Sequence, residues 1–110
     1  MKEVTKASLE MKVIAMEILN QLGGNRFVAM TGAKNFVYSE KKPGLTFQIG
    51  SGAKNRIKYV KITLNSMDLY DVEFFKIFSN DIKTVATVNG IYNDQLQEVF
   101  TRHTGFYTHL

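Results

Sequence analysis

The sequence predicts an α+β domain: a mostly antiparallel sheet of about five or six strands, packed on one face by an N-terminal and a C-terminal helix. Three observations predict it. Apolar residues recur with the period of a helix near the start of the chain, alternate with a period of two across its middle, and return to the helical period near its end. The chain has 110 residues, of which 45% are hydrophobic, so residues 1–110 suffice for a single domain with one core.

The N-terminal helix is predicted over residues 6–22. Thr5 or Ser8 can cap its first turn, and Gly23-Gly24 ends it because glycine tolerates positive φ. One face carries apolar residues at the helical spacing, namely Met11, Ile14, Ala15, Ile18, Leu19 and Leu22. That face is expected to pack against the sheet.

Six strands are predicted in the middle of the chain, as short runs rich in β-branched and aromatic residues. The predicted ranges are 26–30, 35–39, 45–49, 57–64, 69–78 and 82–88. Residues 41–44, Lys-Lys-Pro-Gly, predict a tight turn whose glycine takes positive φ and joins the second and third strands as a hairpin. In the fourth strand Val60, Ile62 and Leu64 share a dry face. Residues 74–78 are apolar on both faces and can alternatively form a buried turn.

The closing helix is predicted over residues 93–104, with Asn93 as N-cap, Gly105 after its last turn and Asn89-Gly90 as a turn before it. The tail, residues 106–110, is apolar enough to pack back on the domain. The predicted core consists of Ile14, Ile18, Leu22, Val60, Ile62, Leu64, Val72, Leu96 and Phe100.

The composition excludes several classes of protein. There is no cysteine, which rules out disulfides, thiolate nucleophiles and cysteine-ligated metal centres and points to a reducing compartment. No apolar run approaches the roughly 20 residues that span a bilayer, and the N-terminal region lacks the pattern of a signal peptide. We therefore expect a cytoplasmic protein with no membrane partner.

Basic residues are concentrated in the middle of the chain. The formal net charge is +4, but residues 26–61 contain eight basic residues against one acidic residue, with aromatic residues between them. Lysine and arginine neutralise phosphates and exposed aromatic rings stack on unpaired bases, so this segment predicts non-enzymatic nucleic-acid binding through a basic sheet face. The expected phosphate contacts are Lys34, Lys54, Arg56, Lys58 and Lys61, and the expected stacking residue is Tyr59. The alternative is that these residues only keep a sheet surface soluble.

A short sequence occurs twice in this basic segment. Residues 31–35 read Thr-Gly-Ala-Lys-Asn and residues 51–55 read Ser-Gly-Ala-Lys-Asn. The two copies are either paired loops that present lysines to successive phosphates or ordinary turns, since glycine and asparagine both tolerate left-handed conformations. Residues 50–55 do not form a Walker A loop, because Ala53 separates Gly52 from Lys54 and a predicted strand follows where that motif needs a helix.

Candidate catalytic and metal-ligating groups are sparse. His103 and His109 lack a clear third and fourth ligand, and Asp71 and Glu73 are expected on a solvated strand face. No serine or threonine lies in a nucleophile-elbow context. We expect no catalytic residues, no metal, no cofactor and no enzyme activity.

Three stretches carry a resemblance to a known family: ILNQLGGNRF at 18–27 with MTGAKNF at 30–36, YVKITLN at 59–65 with YDVEF at 70–74, and GIY at 90–92 with TGFY at 104–107. Together they resemble a family of small uncharacterised proteins encoded by bacteriophages and integrated mobile elements of bacteria, over nearly the whole chain. The resemblance implies a cytoplasmic accessory protein of a phage or mobile element. It implies no activity, substrate or site residue.

The alternative function is a protein–protein interaction module that docks on a host or phage protein and can inhibit it. Its basis is a surplus of apolar residues toward the C-terminus, namely Phe75, Phe78, Phe106, Tyr107 and Leu110. The same residues can form a homodimer interface. An exposed apolar patch favours this alternative, whereas a contiguous basic face favours nucleic acid.

Overall fold

Five antiparallel strands in chain order, β1-β2-β3-β4-β5, form one sheet with three helices in a computed structural model that describes residues 6–108, with side chains from Leu9 onwards. The elements are α1 (Lys6–Leu22), α2 (Asn25–Thr31), β1 (Lys34–Val37), β2 (Gly44–Gln48), β3 (Tyr59–Leu64), β4 (Tyr70–Phe78), β5 (Asp81–Ile91) and α3 (Leu96–Thr104). Short 3-10 turns precede β3, at Lys54–Arg56, and α3, at Asn93–Gln95. The predicted α+β class is confirmed, as are the bounds of the first helix.

The helices pack on one face of the sheet, which we call the inner face. Phe27 of α2 meets Phe47 of β2 and Phe100 of α3 edge-to-face, with ring centroids 5.5 and 5.1 Å apart. Ile18 and Leu22 bring α1 into the same buried cluster. Seven of the nine predicted core residues are buried, whereas Ile14 and Leu64 are only partly buried against that cluster.

Residues 26–30 form helix α2, so the prediction of a first strand there is wrong. The run Phe-Val-Ala-Met is too short for periodicity to separate a strand from a buried helical turn. Tertiary packing decides for the helix: Phe27 and Thr31, four residues apart, face the core, and the Thr31 hydroxyl donates to the Phe27 carbonyl at 2.8 Å. Gly24 precedes α2 with φ of 61°, and Gly32 follows it with φ of 68°.

The hairpin of β4 and β5 corrects two further expectations. Residues 74–78 continue β4, so the alternative of a buried turn there is wrong, and the chain reverses at Ser79 and Asn80, both with positive φ. Asn89-Gly90 is not a turn between elements. It lies within β5 at a bulge, where Gly90 has φ of 70° and its N–H donates to Asp71 Oδ1 at 3.0 Å.

Gly44 serves a different purpose from the one predicted. Gly44 lies in β2, where it pairs with Thr63 of β3, and its φ is not positive. A side chain there is excluded because a Cβ would collide with the Ile62 carbonyl oxygen. The glycine therefore allows β2 and β3 to approach closely.

The ends of α3 also differ in detail from the prediction. The α-helix begins at Leu96 with Gln95 as its N-cap, and residues 93–95 form a 3-10 turn capped by Tyr92, so Asn93 caps neither. The Tyr92 N–H donates to Gln95 Oε1 at 3.2 Å. Gly105 follows the helix with φ of 80°, as predicted. The described part of the tail packs back only in part, since Phe106 lies against the core and Thr108 is buried whereas Tyr107 is exposed. His109, Leu110, Thr5 and the Ser8 side chain lie outside the described part. None of the helices within residues 6–108 has the length and apolar character needed to cross a membrane.

Candidate nucleic-acid interface

The face of the sheet opposite the helices, the outer face, carries the candidate site. Strand alternation and pairing place on it Lys34 and Val37 of β1, Thr46 and Gln48 of β2, Tyr59, Lys61 and Thr63 of β3, and Asp71, Glu73 and Phe75 of β4. Each of these side chains is exposed or only partly buried. The face is therefore open to solvent and to a ligand.

Two aromatic residues occupy directly paired strand positions at one end of this face. Tyr59 is directly opposite Phe75 on β4 and Gln48 on β2, and Gln48 is in turn opposite Lys34 on β1. Directly opposed residues have Cβ atoms about 5 Å apart, so the two side chains arise from adjacent positions on the outer face. Both are partly buried. These four paired positions thus form a row across the strands that carries the cation of Lys34, the amide of Gln48 and the rings of Tyr59 and Phe75.

Phe75 was not among the predicted stacking residues. The sequence pattern places it instead among the apolar residues of a predicted docking surface toward the C-terminus. The alternation of β4 contains the signal that places it: Tyr70, Val72 and Phe74 point inward, so residues of the other parity point outward. Alternation within one strand does not show which residue lies beside Phe75. Its pairing with Tyr59 depends on the register between β3 and β4.

Charge on the outer face changes sign from β3 to β4. Lys61 has Thr46 on one side and Glu73 on the other, so a carboxylate sits directly across from the central predicted lysine. Asp71 also lies on β4 and accepts hydrogen bonds from the Gly90 N–H and the Asn65 amide, at 3.0 and 3.2 Å. The basic strand residues of the outer face are therefore Lys34 on β1 and Lys61 on β3, with no cation between them on β2.

A cleft of about 190 Å³ opens on the outer face beside the loop between β1 and β2. Its polar lining consists of Tyr38, Ser39, Lys42, Thr46, Lys61 and Thr63. Two lysines and several hydroxyls around one concave space form a surface that suits a phosphate. Lys42 and Tyr38 belong to the basic segment but were not among the predicted contacts, because the loop brings them to Lys61 only in the folded chain.

A second cleft, of about 280 Å³, lies beyond the other end of β3. It is lined by Gly50, Ser51, Gly52, Ala53, Arg56, Ile57 and Lys58. Arg56 and Lys58 thus share one concave space, although Lys58, next to the outward-facing Tyr59, has the parity of the inner-face residues. Phosphate binding by the two residues stays a prediction. Arg56 reaches this position through a left-handed backbone, since Asn55 and Arg56 have φ of 55° and 59°.

Lys54 lies apart from this cleft. The atoms of its side chain pack over Gly105, where Lys54 Cγ lies 3.2 Å from the position that a Cβ would take. Gly105 follows the last turn of α3, where backbone carbonyls are unpaired and a cation is favourable. The structure therefore gives Lys54 a packing role at the end of a helix.

The two copies of the repeated sequence lie side by side. The Gly50 N–H donates to the Thr31 carbonyl at 2.9 Å, and both copies use positive φ at the same places, Gly32 with Asn35 and Gly52 with Asn55. Their lysines diverge, however: Lys34 is on the outer face and Lys54 packs on Gly105. The repeat is thus a repeat of turn geometry, which favours the second of the two interpretations.

Groups that could serve catalysis or metal binding are dispersed. His103 stacks on Phe74 on the inner face, with ring centroids 4.8 Å apart, far from the outer-face acids. A hollow of about 480 Å³ beside α3 includes Asp94, Glu98 and Arg102, but the last two form an exposed ion pair. Within residues 6–108 no three His, Asp or Glu side chains are grouped so that they could hold a metal ion.

The five residues of the predicted apolar docking surface are distributed over the molecule. Phe75 lies on the outer face, Phe106 packs against the core on the inner side, and Phe78 is exposed at the end of the β4–β5 hairpin. Tyr107 is exposed and Leu110 lies outside the described part. Because Phe75 and Phe106 are on opposite sides of the sheet, these residues do not make one surface.

Comparison with known proteins yields no match: no family model, no curated protein and no solved structure is significantly similar to this chain.

Proposed function

We propose that this protein binds single-stranded nucleic acid on the outer face of its sheet and carries out no chemistry on it. The observation that carries the proposal is the pairing of Tyr59 with Phe75 on a sheet face that no element of residues 6–108 covers, between two basic clefts. Aromatic rings on neighbouring strands of an open sheet offer a platform on which successive bases stack.

The clefts supply the phosphate contacts. Lys61 lines one cleft and Lys58 the other, and the three-residue step from Lys58 to Lys61 covers about 10 Å along the strand direction. A strand of nucleic acid that crosses this distance covers a few nucleotides, near the short end of the roughly 4 to 16 nucleotides bound by other small β domains.

The acidic residues of β4 restrict where the phosphates of a bound strand can lie on the outer face. Glu73 and Asp71 repel phosphates, so the sugar-phosphate backbone is expected to follow β2 and β3, with bases pointing over Tyr59 toward Phe75. Unpaired bases can reach these rings, whereas the bases of a duplex are already stacked on each other. A broad sheet also cannot enter a groove as a helix or two-stranded ribbon does. Single strands are therefore the expected ligand.

The test is fluorescence anisotropy with a labelled oligothymidine and a matched duplex at several salt concentrations. We expect tighter binding of the single strand and an affinity that falls as salt rises, because bound phosphates release counterions. Tyr59→Ala and Phe75→Ala should each weaken binding by roughly 5- to 150-fold, the range for loss of about 1–3 kcal/mol of stacking. Neither should change the salt dependence.

Charge variants test the clefts separately. Arg56→Gln and Lys61→Gln should each weaken binding and reduce the slope of log affinity against log salt by about 0.7, the value for one phosphate on a single strand. Arg102→Gln and Tyr107→Ala are matched controls, since both side chains are exposed on the helix side. An absence of binding at low salt, or binding that Tyr59→Ala and Phe75→Ala leave intact, contradicts the proposal.

An accessory role for a phage or mobile element, which the resemblance implies, is compatible with such binding and stays an expectation. Docking on a host or phage protein is the less supported alternative, because the apolar residues on which it rests lie on different sides of the molecule.

A further inference from the structure

Helix α1 has a second apolar stripe that no element in the described part of the chain covers. Leu9, Val13 and Met16 are 51%, 54% and 58% exposed. Their spacing of four and three residues places them on one face of the helix, opposite the buried Ile18 and Leu22. Single exposed apolar residues are ordinary, but three in register along a helix indicate a partner.

The stripe has the spacing of a two-stranded coiled coil. With Leu9 and Met16 at d positions, Val13 falls at a, and the exposed Asn20 falls at the next a. A β-branched residue at a with leucine at d favours two parallel strands, and a single asparagine at a specifies the register of such pairs. A shallow hollow of about 450 Å³ beside Val13 offers space for a side chain from a facing helix.

The charges that flank the stripe identify the partner. Lys12 falls at a g position and Glu17 at the e position five residues later. In a parallel pair of identical helices, g of one chain faces that later e of the other, so Lys12 meets Glu17 of the second copy twice, once on each side. In an antiparallel pair, g positions would face g positions and e positions would face e positions, so residues of like charge would lie together.

We propose that α1 mediates a parallel homodimer of this protein, with Leu9, Val13 and Met16 at the interface and Lys12–Glu17 pairs at its sides. Because α1 covers the inner face, the dimer leaves both outer faces open. This inference does not depend on the proposed function.

Sedimentation equilibrium from micromolar to millimolar protein tests it. We expect a monomer–dimer equilibrium, and Val13→Glu should raise the dissociation constant about tenfold or more, because it places an unpaired charge in the interface of each chain. Ile82→Glu is the matched control: Ile82 is 62% exposed on β5 and the same change there should leave the equilibrium unaltered. Circular dichroism verifies that both variants are folded.

Charge exchange tests the orientation. Lys12→Glu and Glu17→Lys should each weaken the dimer severalfold, and the double variant should recover the original affinity because the pairs are restored with reversed sign. A monomer over the whole range, a dimer that Val13→Glu leaves intact, or a double variant without recovery overturns the proposal.

Discussion

At the scale of the residue, Tyr70 is a buried phenol whose ionisation is linked to folding. It begins β4, is 5% exposed, and pairs with Leu64 and Ile91. Loss of solvent on burial raises the pKa of Tyr70 above its usual value of 10.0; a hydrogen bond from the Gln21 side chain opposes this rise, and the carboxylate of Glu17 adds to it.

This raised pKa predicts a loss of stability in alkali. The folded state holds the phenolic proton more tightly than the unfolded chain does, so the contribution is complete below about pH 10 and is lost as pH rises through the folded pKa. Urea unfolding between neutral pH and pH 11 should therefore show a falling free energy, and Tyr70→Phe should fall less steeply. Parallel curves for the two proteins would show that Tyr70 does not contribute.

Ile62 provides the sharpest test of the core. Its side chain is 1% exposed, and Leu45 and Val72 lie opposite it on the flanking strands. Ile62→Ala should lower the free energy of unfolding by roughly 2–5 kcal/mol, since it removes buried methyl groups and leaves a cavity. The same substitution at the exposed Ile82 should change it by less than about 0.5 kcal/mol. Equal effects in chemical denaturation would contradict the assignment of the inner face.

At the scale of the element, the β4–β5 hairpin extends beyond the rest of the sheet. Pairing of β3 with β4 stops at Phe75, whereas β4 and β5 continue to pair through Lys76 with Lys83, Ile77 with Ile82 and Phe78 with Asp81. Residues 76–83 therefore form a two-stranded arm. Its apolar residues Ile77, Phe78 and Ile82 are exposed, Phe78 to 56%.

Hydrogen exchange should distinguish this arm from the sheet. A two-stranded ribbon with exposed side chains is of marginal stability by itself, so it opens without unfolding of the core. Hydrogen-bonded amides of residues 76–83 should have protection factors at least about tenfold lower than those of residues 72–74. Comparable protection in both segments would mean that the arm opens only with the whole domain.

The elements also show where local sequence is sufficient. The bounds of α1 and the inward faces of β2 and β3 follow from periodicity, which depends only on neighbours along the chain. The secondary structure of residues 26–30 does not follow from periodicity, because a short apolar run suits either a helix or a strand. In α2 the packing of Phe27 between Phe47 and Phe100 selects the helix.

At the scale of the whole molecule, the basic segment is divided by the fold. Several of its basic residues lie at three separate sites. Lys61 and Lys42 line one cleft, Arg56 and Lys58 line another, and Lys54 packs at the end of α3. The acids of β4 then lie beside the basic strands. A net charge counted along the chain therefore overstates how uniformly basic the outer face is.

The sequence by itself determined the fold class, the N-terminal helix, the inward faces of the strands and the presence of cations and rings in the middle of the chain. Only the tertiary structure decided which of them are neighbours: Tyr59 beside Phe75, Lys61 opposite Glu73, and Lys54 over Gly105. The physical reason is that burial patterns arise from the period of a single element. Neighbours across strands depend on register and loop path, which are set by the packing of the whole chain.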